Sequence, residues 1–154
     1  MKTYKIILTV IGLAFLLWFQ ACKKNDEPSA EDIQLEMLSA TWKVGSEGSV
    51  LLDDSEVTEY FTDFSLTVNT DYTYVTTGAG TPNPWPSSGD WSFVQNSDGT
   101  LNLNKVVRDD GLLIAVELLT ETKLKLSFFH DETIHFTGRS SSVSGEYVFH
   151  LNRE

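Results

Sequence analysis

Apolar side chains recur at every second position in five short runs: Phe64, Leu66 and Val68; Trp91 and Phe93; Ile114, Val116 and Leu118; Leu124, Leu126 and Phe128; Tyr147, Phe149 and Leu151. A period of two is the spacing of one strand face, so each run predicts a β-strand with that face buried. From Thr41 onward the chain is rich in Thr, Val, Tyr, Phe and Trp, the residues that fit a pleated, half-buried surface. Ahead of it, Ser29 is placed to cap a short helix running to about Leu38, with Glu31 and Asp32 in its first turn and Ile33 and Met37 on one face.

Turn chemistry separates the runs. Asp98-Gly99 and Asp110-Gly111 each predict a hairpin, because glycine supplies the positive φ that tight turns demand. Thr70-Asp71 closes a third hairpin, and Thr120 to Thr122 a fourth. The stretch from Gly78 to Ser88 carries Pro82, Pro84 and Pro86 around Trp85 and reads as a long connection, since proline cannot donate to a strand ladder. Asp53 to Asp63 is acidic, with a helical turn expected around Thr58 to Phe61, and Arg139 to Ser144 reads as a serine-rich loop. Sequential strands in this number suit an all-β fold, an antiparallel up-and-down barrel of about 8–10 strands with a short N-terminal helix, which removes exposed sheet edges.

The first residues follow a different pattern. Lys2 and Lys5 precede an apolar run from Ile6 to Phe19, too short for a membrane span of about 20 residues and suited to the core of a signal peptide. It ends in Phe19-Gln20-Ala21-Cys22, a small residue followed by the chain's single cysteine, and this junction resembles a bacterial lipoprotein signal. That resemblance implies residues 1–21 as signal peptide, lipidated Cys22 at the head of a polar tether over 22–29, and a barrel domain over 30–154. It also implies a lipid-anchored protein of the cell envelope at the outer membrane, with membrane as a partner through the anchor. Lys23-Lys24-Asn25-Asp26-Glu27 is similar to the surface-export signal of Bacteroidota lipoproteins, which leaves periplasmic and outer-surface orientations both open.

Within the barrel domain, Leu38-Ser39-Ala40-Thr41-Trp42-Lys43-Val44 resembles the opening of the lipocalin-like domains of Bacteroidota lipoproteins, with Ala40 where glycine is customary. Further short matches are Phe64 to Val68, Ser88 to Phe93, Leu118 to Leu126 and Tyr147 to Leu151. The resemblance implies that Trp42 packs beneath the barrel against an arginine near the last strand, either Arg153 or Arg139.

Composition and charge narrow the function. With 154 residues the chain is one domain's worth, and 22 acidic against 11 basic residues give a net charge of -11, which repels phosphate backbones; no nucleic acid partner is expected. A single cysteine excludes an internal disulfide. His130, His135 and His150, with Asp131 or Glu132, match no established metal spacing, and the acidic cluster of Asp53, Asp54, Glu56, Glu59 and Asp63 lacks the order of a calcium loop. Serines 140, 141, 142 and 144 form no nucleophile elbow, and Asp90 and Glu117 read as turn and outward residues rather than a carboxylate pair. We therefore assign no catalytic residue, no metal ligand and no cofactor.

Aromatic residues remain as candidate chemistry. Tyr72, Tyr74, Trp91, Phe93 and Tyr147 are expected, with Trp42, Phe64, Phe128, Phe136 and Phe149, to face one interior, where rings either fill the core or bind an apolar ligand or a sugar. Trp85 is expected to differ, held by its prolines in an exposed loop over one barrel mouth as a contact point. The ligand-binding candidates are thus Tyr72, Tyr74, Trp85, Trp91, Phe93 and Tyr147. The expected function is non-catalytic binding of a small hydrophobic or amphipathic molecule; the alternative is a glycan- or protein-binding accessory of an outer-membrane assembly with a filled barrel.

Overall fold

The computed structural model describes residues 27–78, 84–131, 133–136, 139–142 and 144–154, with the backbone path alone over 133–136 and 139–142. The signal segment, Cys22, Pro82, Glu132 and the side chains of His135, Phe136 and Arg139 lie outside the described residues. One helix, α1 (Ala30–Leu38), precedes β1 (Thr41–Lys43), β2 (Ser49–Leu52), β3 (Ser55–Glu56), a 3₁₀ turn (Thr58–Tyr60), β4 (Ser65–Val68), β5 (Thr73–Thr77) and β6 (Ser88–Gln95). There follow β7 (Leu101–Arg108), β8 (Leu113–Leu119), β9 (Lys123–His130), β10 (Thr133–Phe136), β11 (Arg139–Ser142) and β12 (Gly145–Arg153).

Strands β4 to β9 run as an antiparallel meander, β12 pairs with β9, and β1 pairs with both β4 and β12. The sheet is thereby closed. β1 meets β12 at Trp42 and Arg153, and β2 meets the same strand at Val50 and Phe149, so β1 and β2 form one stave broken by residues 44–48. Gly48 allows the break, since a Cβ there would stand 2.2 Å from the Val44 carbonyl and 2.4 Å from that of His150. Counting β1 and β2 together gives a closed eight-stranded antiparallel barrel with one short helix, as the period-two runs predicted.

Three hairpins share one design. In each, a three-residue loop is closed by backbone bonds, and its aspartate accepts from the backbone N–H two residues on: Asp71 from Thr73, Asp98 from Thr100, Asp110 from Leu112. The last loop residue takes a left-handed conformation, Gly99 at φ 85° and Gly111 at φ 86°. Tyr72, at φ 64°, fills the same place without the freedom of glycine. Its strain is offset by contacts: the phenol donates to Glu31 of α1 at 2.8 Å, and the ring lies 5.2 Å from that of Trp91.

Four expectations are corrected. Leu118 is exposed, because the register of β8 against β9 shifts between Val116 and Leu118 and turns it outward. Arg139–Ser142 is a strand paired with β10, and the pair lies between β9 and β12 in chain order. The acidic stretch holds, besides the expected helical turn, a β2–β3 hairpin whose Asp53 and Asp54 both adopt positive φ. The helix cap matches expectation, Ser29 accepting from the Asp32 N–H while Asp32 accepts from the Ser29 N–H, but the packed face does not: Leu35 and Leu38 meet the core, and Ile33 is exposed. Among the described residues, no helix is long and apolar enough to cross a membrane.

Candidate functional site

Alternation on β4, β6, β8, β9 and β12 drives one apolar interior, and the two barrel ends are closed by different devices. At the end holding the β4–β5 and β6–β7 turns, α1 lies across the opening. Tyr72 fixes it through Glu31, Gln34 donates to the Leu103 carbonyl at 3.1 Å, and the Trp42 indole N–H donates to the Leu38 carbonyl at 2.8 Å. Arg153 covers the outer side of Trp42, its guanidinium carbon 5.7 Å from the ring centre; the side chain of Arg139, the other expected partner, lies outside the described residues.

Trp85 closes the opposite end from inside. It is 5% exposed, against the expectation of an exposed loop residue. Its ring lies 5.4 Å from Phe128, 5.9 Å from Phe149, 6.0 Å from Tyr74 and 6.1 Å from Phe64. The reason lies on both sides of it. Arg108 donates to the Pro84 carbonyl at 3.0 Å, and Thr76 donates from its hydroxyl to the Pro86 carbonyl at 2.7 Å. The carbonyls that the prolines carry inward are thus satisfied, and burial of the indole follows from the hydrophobic effect at about 25 cal/mol per Å².

Arg108 is the residue that sequence reasoning missed. It follows Val106 at the inward spacing of β7 and is only 3% exposed. Its guanidinium forms a two-point pair with Asp110, through Nε to Oδ1 at 3.2 Å and through Nη2 to Oδ2, and its carbon stands 5.3 Å from the Trp85 ring centre. The hydrogen bond from Arg108 holds the Asp110 carboxyl below the usual carboxylate range. A single basic residue in phase with an apolar run was the signal available.

The remaining candidates fall into two groups. Tyr72, Trp91 and Phe93 cluster towards α1, with Trp91 and Phe93 centres 5.2 Å apart and the Trp91 indole donating to the Thr73 carbonyl at 3.3 Å. Tyr74, Trp85 and Tyr147 belong to the opposite half, where Tyr147 stacks on Phe128 at 5.7 Å. Burial raises the pKa of the Tyr147 hydroxyl, and Asp53 adds to the effect. Tyr74 is 3% exposed and its phenol oxygen has no hydrogen-bond partner among the described residues. Burial raises its pKa too, with Arg108 opposing and Asp109, Asp110 and Asp90 reinforcing.

Between Leu38 and Trp85 an apolar cavity of about 40 Å³ remains, walled by Leu66, Val116, Leu126, Trp91, Tyr74 and Arg108 among others. It is well below the roughly 150 Å³ that accommodates a benzene ring. No protein-family model, no curated protein and no solved structure matches the chain, so the site's own chemistry carries the functional reading. Asp90 and Glu117 do not converge on this interior: both are exposed, and Glu117 pairs with Lys125 at 2.5 Å and accepts from Ser127 at 2.6 Å on the outer face. Among the described residues, no group of three or more His, Cys, Asp or Glu side chains comes together as a metal site.

Proposed function

We propose that the protein is a non-catalytic, lipid-anchored cell-envelope protein whose barrel binds a small hydrophobic or amphipathic molecule. The observation that carries this reading is the apolar cavity capped by Trp85, a side chain borne on a connection between strands rather than on a strand. A ligand of more than a few atoms enters only as the indole leaves, and it then takes over the ring contacts that Trp85 made. Cys22 after its apolar run, and the resemblance to lipocalin-like lipoproteins of Bacteroidota, support an address at the outer membrane.

The test is saturable binding of an uncharged apolar dye, N-phenyl-1-naphthylamine, followed by its fluorescence. Wild-type protein should bind it, and Trp85→Leu, which vacates volume while staying apolar, should bind it more tightly. No saturable binding by either protein would overturn the reading.

A second reading is favoured by the small size of the cavity. A barrel filled by its own rings serves as an accessory module, meeting a glycan or a protein through its outer face. There Leu113 on β8 and Phe129 on β9 are 56% and 62% exposed.

A further inference from the structure

Resting on the interior-ligand reading, we propose that Arg108 selects the ligand, taking an uncharged acyl ester or amide whose carbonyl replaces that of Pro84. The segment that fills the barrel is built as such a ligand would be. Trp85 supplies an apolar body among Phe64, Phe128 and Phe149, and the Pro84 carbonyl, whose carbon is bonded to the Trp85 nitrogen, supplies a neutral acceptor 3.0 Å from Arg108 Nη1. The guanidinium carbon also stands 5.3 Å from the indole centre. Withdrawal of this segment takes both partners from Arg108 together.

The guanidinium cannot follow. Asp110 holds it at two points, at Nε over 3.2 Å and at Nη2, and Asp110 is itself fixed by the Leu112 N–H at 3.1 Å. Nη1 therefore stays aimed at the place that the Pro84 oxygen vacates, on a side chain that is buried, and a buried N–H left without an acceptor is destabilising. Room for a head group is the room of that carbonyl. Thr76, the other donor to this segment, is less exacting, since a hydroxyl turns to a new partner. Arg108 also walls the apolar cavity, as its one charged side chain among the described residues, so an acyl chain held at Nη1 begins beside Leu66, Val116 and Leu126.

Charge decides the class of head group. Asp110 already matches the charge of Arg108, so a carboxylate would bury a second negative charge with no counter-ion left for it. An ammonium offers no acceptor and meets a cation. A plain hydrocarbon leaves Nη1 bare. An ester or amide carbonyl reproduces the bond that Pro84 made and carries no charge into the barrel.

Displacement of N-phenyl-1-naphthylamine from the purified protein by methyl octanoate, octanoate and octylamine at pH 7 tests the idea at constant acyl length. The ester should bind at least about tenfold more tightly than either charged analogue. Arg108→Met keeps an apolar stem and leaves Asp110 half-exposed to water. Because it also loosens the Trp85 segment for every ligand, its readout is the affinity of the ester relative to that of the dye, which should fall about fivefold, the worth of one hydrogen bond. Should that variant not fold, the infrared carbonyl band of methyl octanoate bound to the wild-type protein gives the same answer, and it should lie at the lower frequency of a hydrogen-bonded ester. Octanoate binding as tightly as the ester, an unchanged ratio in Arg108→Met, or a bound carbonyl band where the ester absorbs in hexane would overturn the Arg108 site and leave the interior-ligand reading intact. Failure of the dye and all three probes to bind either the wild-type protein or Trp85→Leu would overturn both.

Discussion

Replacing Trp85 by alanine removes an indole packed against four aromatic rings, and truncations of this kind in close-packed interiors cost about 3–5 kcal/mol. A urea melt should show that loss, whereas a change under about 1 kcal/mol would place the ring outside the core. Trp42→Ala should cost a similar amount, since that ring is fully buried and its N–H ties α1 to the barrel. The two tryptophans differed in legibility. Trp42 stands at the head of a strand, where local pattern is informative. Trp85 sits among prolines, and whether such a ring turns in or out is decided by Arg108 and Thr76, distant residues that satisfy its neighbours' carbonyls. Tyr74, Trp91, Phe93 and Tyr147 were placed correctly by parity alone, because a strand leaves only two directions for a side chain.

At the scale of the element, turns and caps were readable and irregularities were not. Aspartate marks all three three-residue loops, and glycine two of them, through local bonds that any sequence window contains. The bulge that exposes Leu118 and the break between β1 and β2 arise from the fit of neighbouring strands, which no window records. The break gives a sharp test: Gly48→Ala drives a Cβ into two backbone carbonyls and should cost about 2 kcal/mol or more. Gly111→Ala meets open space and should cost only the left-handed penalty of about 1–2 kcal/mol. The β7–β8 turn carries a pH dependence of fixed sign. Because the hydrogen bond from Arg108 depresses the Asp110 pKa in the folded state, its contribution is complete above the ordinary carboxylate pKa of about 4 and is lost as pH falls below it. Urea midpoints measured from pH 6 to pH 2 should fall more steeply for wild type than for Asp110→Asn.

At the scale of the molecule, the barrel was legible because closure is the ordinary answer to many short sequential strands with no covered edge. How full it is was not, since interior volume is the small difference between the space enclosed and the rings packed into it. The address belongs to this scale as well. If Cys22 carries lipid, Cys22→Ala should release the protein from membranes in a fractionation assay; unchanged membrane association would refute the anchor.

Strand β12 is the partner of β9, β1 and β2 at once, so it acts as the keystone of the ring. A chain made from its N-terminus presents β1 long before β12 exists, and both seams of the closing stave stay open until residues 145–153 emerge. The contacts that seal the barrel therefore span most of the domain, a topology of high contact order that folds slowly. Until then the edges of β2 and β9 are unpaired and available to other chains. The protein's exposure to aggregation is thus set by the arrival time of its last strand, and a variant cut before Gly145 should collect in the insoluble fraction even though every other stave of the barrel is present.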